Sequence, residues 1–327
     1  MPERAWLRRC LTIPAVGLAL ALVLASLPAL ALAALVTDLV VRRRWNTLRV
    51  LAFVVFFLAH EVWCLLRLAV VGLRTVGDGE RRRALTFAQQ DRYARAHLGA
   101  ARRLFSLRFE VQGLDAAASG PFLLLVRHTS LIDTVLPGVF VAAHHRLHLR
   151  YVLKKELLAG PCLDIAGHWL PNHFVDRSGA RSEQEALAVG ALGRDLGPED
   201  GVCLFPEGTR FTPRARERLL ARLPPGPERA RAERLRHVLP VRPGGLLALL
   251  EAASGADVVF LAHHGMEGLA RLTDIWAGRL LGTTVHLKLW RVAARDIPRE
   301  AAERLAWADA QWASLDAWLE AQDAPRA

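Results

Sequence analysis

Apolar and polar positions divide the chain into three regimes. Residues 10–37 carry no charge, and about twenty apolar residues suffice to cross a bilayer. A second apolar segment covers residues 50–71. Its first ten residues are apolar, and it then carries His60, Glu61 and Arg67, which are costly at mid-bilayer. Arg42, Arg43, Arg44 and Trp45 lie between the two segments. Two complete spans would set those arginines opposite Arg4, Arg8 and Arg9, although both groups favour the cytoplasmic side. A helical hairpin dipping into one leaflet keeps both basic ends on one face, and it is the expected arrangement. Ala31-Leu32-Ala33 resembles a signal-peptidase site. The apolar run exceeds a signal peptide's core, however, and a second apolar segment follows, so retention is expected.

The second regime, residues 78–108, is polar and rich in arginine. It reads as one or two linking helices with a face suited to anionic lipid. In the third regime short apolar runs alternate with helix-like stretches. Phe122-Leu123-Leu124-Leu125-Val126 is too short for a helix and reads as a buried strand. Further strands are expected at 109–112, 149–153, 173–175, 202–205, 258–262 and 285–289. Helices are expected at 133–144, 155–160, 181–196, 245–253 and 299–320. The last of these places Leu305, Trp312, Leu315 and Leu319 on one face, for packing on the sheet or for a membrane interface. The alternation predicts an α/β domain with a mixed, largely parallel sheet flanked by helices. Pro224-Pro225-Gly226-Pro227 interrupts residues 214–236, where eight arginines face three glutamates; this reads as an inserted loop with a turn, or as a lid over a lipid headgroup.

Composition strengthens the membrane reading. Of 327 residues 52% are hydrophobic, and the mean hydropathy is +0.20, high for a soluble protein. The net charge is +11, yet only Lys154, Lys155 and Lys288 among 43 basic residues are lysines. That preference points to a biased genome as much as to selected binding. With no zinc-finger spacing or RNA-binding aromatic signature, nucleic acid is not an expected partner. Cys10, Cys64, Cys162 and Cys203 are scattered and form no C-x-x-C pair, so reduced, structural thiols are expected.

Two stretches carry chemistry. His128 follows the strand at 122–126, and Asp133 comes five positions later. A carboxylate there can accept the imidazole Nδ1–H, fix the tautomer and leave Nε2 to take a proton. The competing reading of this stretch alone is a core histidine beside a helix-capping aspartate. The second stretch, Phe205-Pro206-Glu207-Gly208-Thr209-Arg210, also ends a strand. Gly208 allows a tight turn, and Arg210 offers a planar fork for phosphate; Glu207 either orients that arginine or accepts a substrate hydroxyl. Ser130 lies beside His128, but no G-x-S-x-G elbow supports a hydrolase. His144 and His148 have helical spacing without the H-E-x-x-H carboxylate, so no metal site is expected. His263-His264-Gly265-Met266-Glu267 follows a strand and either lines the site or, the preferred reading, is structural.

Together the blocks resemble those of the lysophosphatidic acid acyltransferases, within the glycerolipid acyltransferases. His128 and Asp133 match that family's H-x-x-x-x-D block, and residues 205–210 match F-P-E-G-T-R in full. Phe174-Val175-Asp176-Arg177 resembles the basic-ended segment between them. Lys154-Lys155-Glu156-Leu157 resembles the lysine segment, and Val238-Leu239-Pro240-Val241 the fourth block. Arg127 stands where many members have asparagine, and Arg242-Pro243-Gly244-Gly245 is nearer the branch acting on varied lysophospholipids.

The resemblance implies a glycerolipid acyltransferase fold, with residues 1–75 as membrane anchor, 76–108 as basic linker and 109–327 as acyltransferase domain. It implies acyl transfer from acyl-CoA or acyl carrier protein to 1-acylglycerol-3-phosphate, giving phosphatidic acid. The alternatives are another lysolipid acceptor, such as lysocardiolipin, lysophosphatidylglycerol or lyso-ornithine lipid, and an inactive lipid-binding scaffold. In this scheme His128 is the base and Asp133 its orienter. Arg177 and Arg210 hold phosphate, with Glu207, Gly208, Thr209, Lys154 and Lys155 as further binding residues. Backbone donors near the start of the helix after Asp133 would stabilise the oxyanion. No cofactor or metal is implied, and the catalytic domain is expected at a membrane, on the cytoplasmic side.

Overall fold

The computed structural model describes residues 4–42, 44–130, 132–176, 182–269 and 271–323. Contacts divide the chain into two compact units.

The first unit comprises residues 1–108, 153–175 and 273–283. Four helices open it: α1 (Ala5–Ala25), α2 (Leu27–Val41), α3 (Asn46–Arg74) and α4 (Gly79–Phe105). The uncharged run at 10–37 is therefore not one continuous helix. It breaks at Ser26, ahead of Pro28 in the first turn of α2, where a proline costs no hydrogen bond. α1 and α3 are long and apolar enough to cross a bilayer; α2, with 15 residues, is shorter. The basic stretch forms the single helix α4, capped by the Asp78 carboxylate accepting from Arg81 N–H at 2.9 Å.

A further helix, Pro161–Trp169, has no counterpart among the sequence expectations, because its nine residues lie between Gly160 and Leu170 without a long periodic pattern. Its Asp164 is fully buried and takes Arg8 in a bidentate pair, Nε to Oδ2 at 2.9 Å and Nη2 to Oδ1 at 2.7 Å. Arg9 adds a third guanidinium contact at 3.3 Å. The unit's core holds Cys64, Leu68 and Cys162, and the four cysteines are free thiols.

The second unit comprises residues 109–152, 176–272 and 284–327. The strands of the fold are β1 (Arg108–Gln112), β2 (Phe122–Val126), β3 (His148–Lys154), β4 (His173–Val175), β5 (Asp200–Leu204), β6 (Asp257–His264) and β7 (Thr284–Val292). They form a seven-stranded sheet in the order β1-β7-β6-β2-β5-β3-β4. β2 pairs in parallel with β5 and β6, β3 pairs in parallel with β5, and β7 runs antiparallel to β6. Every strand expected from the apolar runs is present, within a few residues at its ends. The central strand β2 is buried at all five positions, which accounts for its unbroken apolar sequence.

The helical expectations need more correction. Residues 133–144 are not a regular helix: a 3-10 turn (Asp133–Val135) leads into a π-helix (Pro137–Ala142) and a last short turn (Ala143–His145). Pro137 lacks the N–H that a continuous α-helix would need there. Arg146 then adopts φ +59°, so His144 and His148 do not share a helix face, and His148 opens β3. The helix expected at 181–196 is Ser182–Ala191.

The arginine-rich insertion is helical on both sides of its proline turn, as Pro213–Arg222 and Pro227–Arg234. Each begins with proline at its first position, which suits a helix start and explains why proline there did not mean a loop. The helices Pro243–Ala252 and Ala301–Asp323 complete the unit. The latter buries Trp312, Leu315 and Leu319, while Trp307 packs against Phe260 of β6 at 6.0 Å between ring centroids.

Candidate active site

Strand register brings the two chemical blocks together. β2 and β5 run parallel with Leu125 opposite Leu204, so continuing three residues sets His128 beside Glu207. β2 and β6 run parallel with Val126 opposite Leu261, which sets His128 level with His263. The carboxyl ends of three adjacent parallel strands therefore converge, as is usual for sites in open α/β sheets.

His128 Nδ1 lies 3.1 and 3.2 Å from the two oxygens of Asp133. The carboxylate only accepts, so Nδ1 carries the proton and Nε2 presents a lone pair. Nε2 has no protein hydrogen bond among the described residues. Asp133 is wholly buried, and its Oδ2 also accepts from the Thr129 and Ser130 N–H groups at 2.7 and 2.8 Å. Burial alone would raise its pKa. The hydrogen bonds and charges of His128 and His263 outweigh that and hold the carboxyl well below the usual carboxylate range. Ser130 closes the turn from the other side, its Oγ accepting from the Ile132 and Asp133 N–H groups at 3.1 and 3.0 Å. The N–H groups of Thr129, Ser130, Ile132 and Asp133 are thus all engaged inside the turn. Ser130 is a turn residue.

The 205–210 block wraps around the same histidine. The Phe205 ring lies 4.8 Å from the imidazole centroid, and Phe211 N–H donates to the His128 carbonyl at 2.7 Å. Glu207 is buried, with each carboxylate oxygen spent on backbone: Oε1 accepts from His128 N–H at 2.9 Å and Oε2 from Leu239 N–H at 2.8 Å. Burial pushes its pKa up to about 8, against the pull of the two N–H donors and of Arg127. Glu207 thus fastens the residues around Pro240 to the histidine turn. Gly208 has φ +71°, a backbone conformation that favours glycine, and a Cβ there would displace the Arg242 side chain, 2.6 Å away. Thr209 and Arg210 follow half-buried in the same loop, Arg210 with an interaction partner of its own.

Arg177 lies outside the described residues. Lys154 and Lys155 belong to the first unit, at the end of β3, and both have interaction partners. Among the described residues no group of histidine, cysteine and carboxylate side chains is arranged to hold a metal ion.

Two residues without an assigned site role in the sequence lie against the pair. Arg127 is fully buried, donating to the His263 carbonyl at 2.6 Å, the His237 carbonyl at 2.9 Å and Glu267 at 2.5 Å. Burial opposes ionisation of Glu267, and the neighbouring guanidinium overcomes it, lowering that pKa. His263, read as structural, is fully buried beside the pair. Its Nε2 donates to the Arg127 carbonyl at 3.0 Å and lies 3.6 Å from Asp133 Oδ2. The available signal was its place at the end of a strand that could pair with β2.

The carboxyl edge of the sheet's parallel strands carries a buried imidazole–carboxylate pair. Residues 108–262 match the Acyltransferase family. All four residues of the pair and its fastening (His128, Asp133, Glu207 and Leu239) fall within the match. Among solved structures the fold is similar to the crystal structure of the 1-acyl-sn-glycerophosphate (LPA) acyltransferase PlsC from Thermotoga maritima. That match has a TM-score of 0.54 and 20% identity, and it covers 88% of this chain and 98% of that one. No curated protein matches the chain in sequence.

Proposed function

We propose that the protein is a membrane-associated O-acyltransferase that moves a fatty acyl group from acyl-CoA or acyl carrier protein to the free hydroxyl of 1-acylglycerol-3-phosphate. The observation that carries this reading is the buried His128–Asp133 contact with Nε2 left to accept a proton. His128 takes the hydroxyl proton as that oxygen attacks the thioester carbonyl, and the Asp133 charge stabilises the imidazolium that forms. The thiolate leaves, and the proton on Nε2 passes to it. A positioned base of this kind contributes about 10²–10⁴-fold. Arg210, one residue from the Phe211 N–H bonded to His128, holds the acceptor phosphate, with Arg177 as its partner from the 174–177 segment. α1 and α3, within residues 1–75, anchor the protein, and the basic helix α4 rests on anionic lipid.

Labelled acyl-CoA offered with a panel of lysophospholipids tests the reading. Acylation of 1-acylglycerol-3-phosphate above the other acceptors, abolished by His128→Ala in a folded protein, supports it. Preferred acylation of another lysolipid shifts the acceptor alone. Undiminished turnover by His128→Ala removes the base.

A further inference from the structure

Beside the 205–210 block lies a cavity of about 370 Å³ whose charge comes from the inserted helices. Thr209 forms one side and Leu219 and Leu223 another, while Arg218, Arg222 and Arg242 supply guanidinium groups. Arg218 and Arg222 are exposed and one helical turn apart on the same face, a spacing at which like charges repel unless something anionic sits between them. The lining carboxylates do little to neutralise them. Glu207 spends both oxygens on backbone N–H groups, which leaves Glu228. Arg231, also in the lining, already pairs with Asp309 at 2.9 Å.

We infer that this cavity is a second phosphate-recognising site, separate from Arg210, that receives the phosphorylated end of a substrate. The inference rests on the reading of the protein as an acyltransferase for phosphate-bearing substrates. Guanidinium forks bind phosphate oxygens bidentately, and three of them suit a group with more than one negative charge. A lone phosphate would fill little of the volume, and the leucine wall accommodates the less polar part of the same molecule. Two substrates carry such an end: the nucleotide bisphosphate of a CoA thioester and the headgroup of the acceptor lipid. Thr209 joins this cavity to the block that encloses His128, so a molecule held here reaches towards the reacting centre.

Full-length protein in detergent is titrated calorimetrically with 3′,5′-adenosine bisphosphate and, separately, with a short-chain 1-acylglycerol-3-phosphate. The variants are R218A/R222A and, as a control, R214A. Arg214 lies on the same helix outside the cavity lining, so its loss removes a similar charge without touching the site. The Kd of one probe should rise about tenfold or more in R218A/R222A and stay within about twofold of wild type in R214A. The probe affected names the source: the bisphosphate for the donor, the lysolipid for the acceptor. Binding of neither probe by wild type, no change in R218A/R222A, or equal weakening by R214A would each overturn the proposal in favour of a solvated basic face. Acyl transfer is assayed separately. Its absence alongside an intact probe effect would count against the proposed reaction and not against the cavity.

Discussion

Glu207 offers the sharpest test of how the site is held. The carboxylate accepts one backbone N–H on each oxygen, from His128 and from Leu239, inside a fully desolvated pocket. Glutamine in its place keeps one accepting oxygen and turns an NH₂ group towards the other N–H, leaving two donors facing each other. An unsatisfied buried polar group costs about 1–3 kcal/mol, so at the acid end of the range, where Glu207 is protonated in both states, Glu207→Gln should lower unfolding stability by roughly 2 kcal/mol and, by loosening the histidine turn, reduce kcat. Its pH dependence has a defined sign. Folding raises this acid's pKa to about 8, so between the unfolded value near 4.5 and about 8 the unfolded chain ionises first. The stability contributed by Glu207 therefore falls as pH rises through that window and is level above it, and in Glu207→Gln this slope is absent. Denaturant unfolding at a series of pH values, with kcat and KM measured on the same preparations, reads all three effects. A variant as stable as wild type with only KM raised would refute the reasoning and make Glu207 a substrate contact.

Three further outcomes are expected. Asp133→Asn should lower kcat by about 10²–10⁴-fold through loss of the oriented base. Because folding depresses this carboxyl's pKa, its stabilising contribution is present above the unfolded value and lost as pH falls through the folded one, so acid unfolding of the variant should be shallower. His263→Phe keeps the ring's volume but removes the hydrogen bond to Arg127 and the imidazole beside Asp133. It should reduce kcat about tenfold with KM little changed, and a fall in acceptor affinity instead would show that His263 touches substrate. Asp164→Asn leaves Arg8 buried without its counter-charge and should cost about 3–5 kcal/mol, visible as faster limited proteolysis of the helices of the first unit; wild-type resistance would contradict it.

The sheet was legible because β2, β5 and β6 hold compact apolar runs, that of β2 buried on both faces, while β1, β3 and β7 alternate apolar and polar positions. The pairing of His128 with Asp133 was legible because both partners lie within six residues of each other. What escaped depends on distant neighbours. His263 becomes part of the site only because β6 pairs with β2, and no local pattern encodes that register. The backbone contacts of Glu207 were not legible because its partners, His128 and Leu239, are 79 and 32 residues away. The inserted helices were hidden by their own prolines, which in this protein stand at helix starts. Ser26 and Pro28 divided an apolar run whose composition alone showed no boundary.

The turn from His128 to Asp133 closes its hydrogen bonds on itself: a carboxylate gathers two amides and a hydroxyl gathers two more. A device so self-contained is portable within its family. On the proposed function, side chains that meet the substrates can be exchanged without re-solving the geometry of proton removal. Arg218 and Arg222 of the insertion lie outside that closed ring, in the cavity proposed to receive a phosphorylated end. Engineering aimed at a new acceptor would begin there and leave the six-residue turn alone.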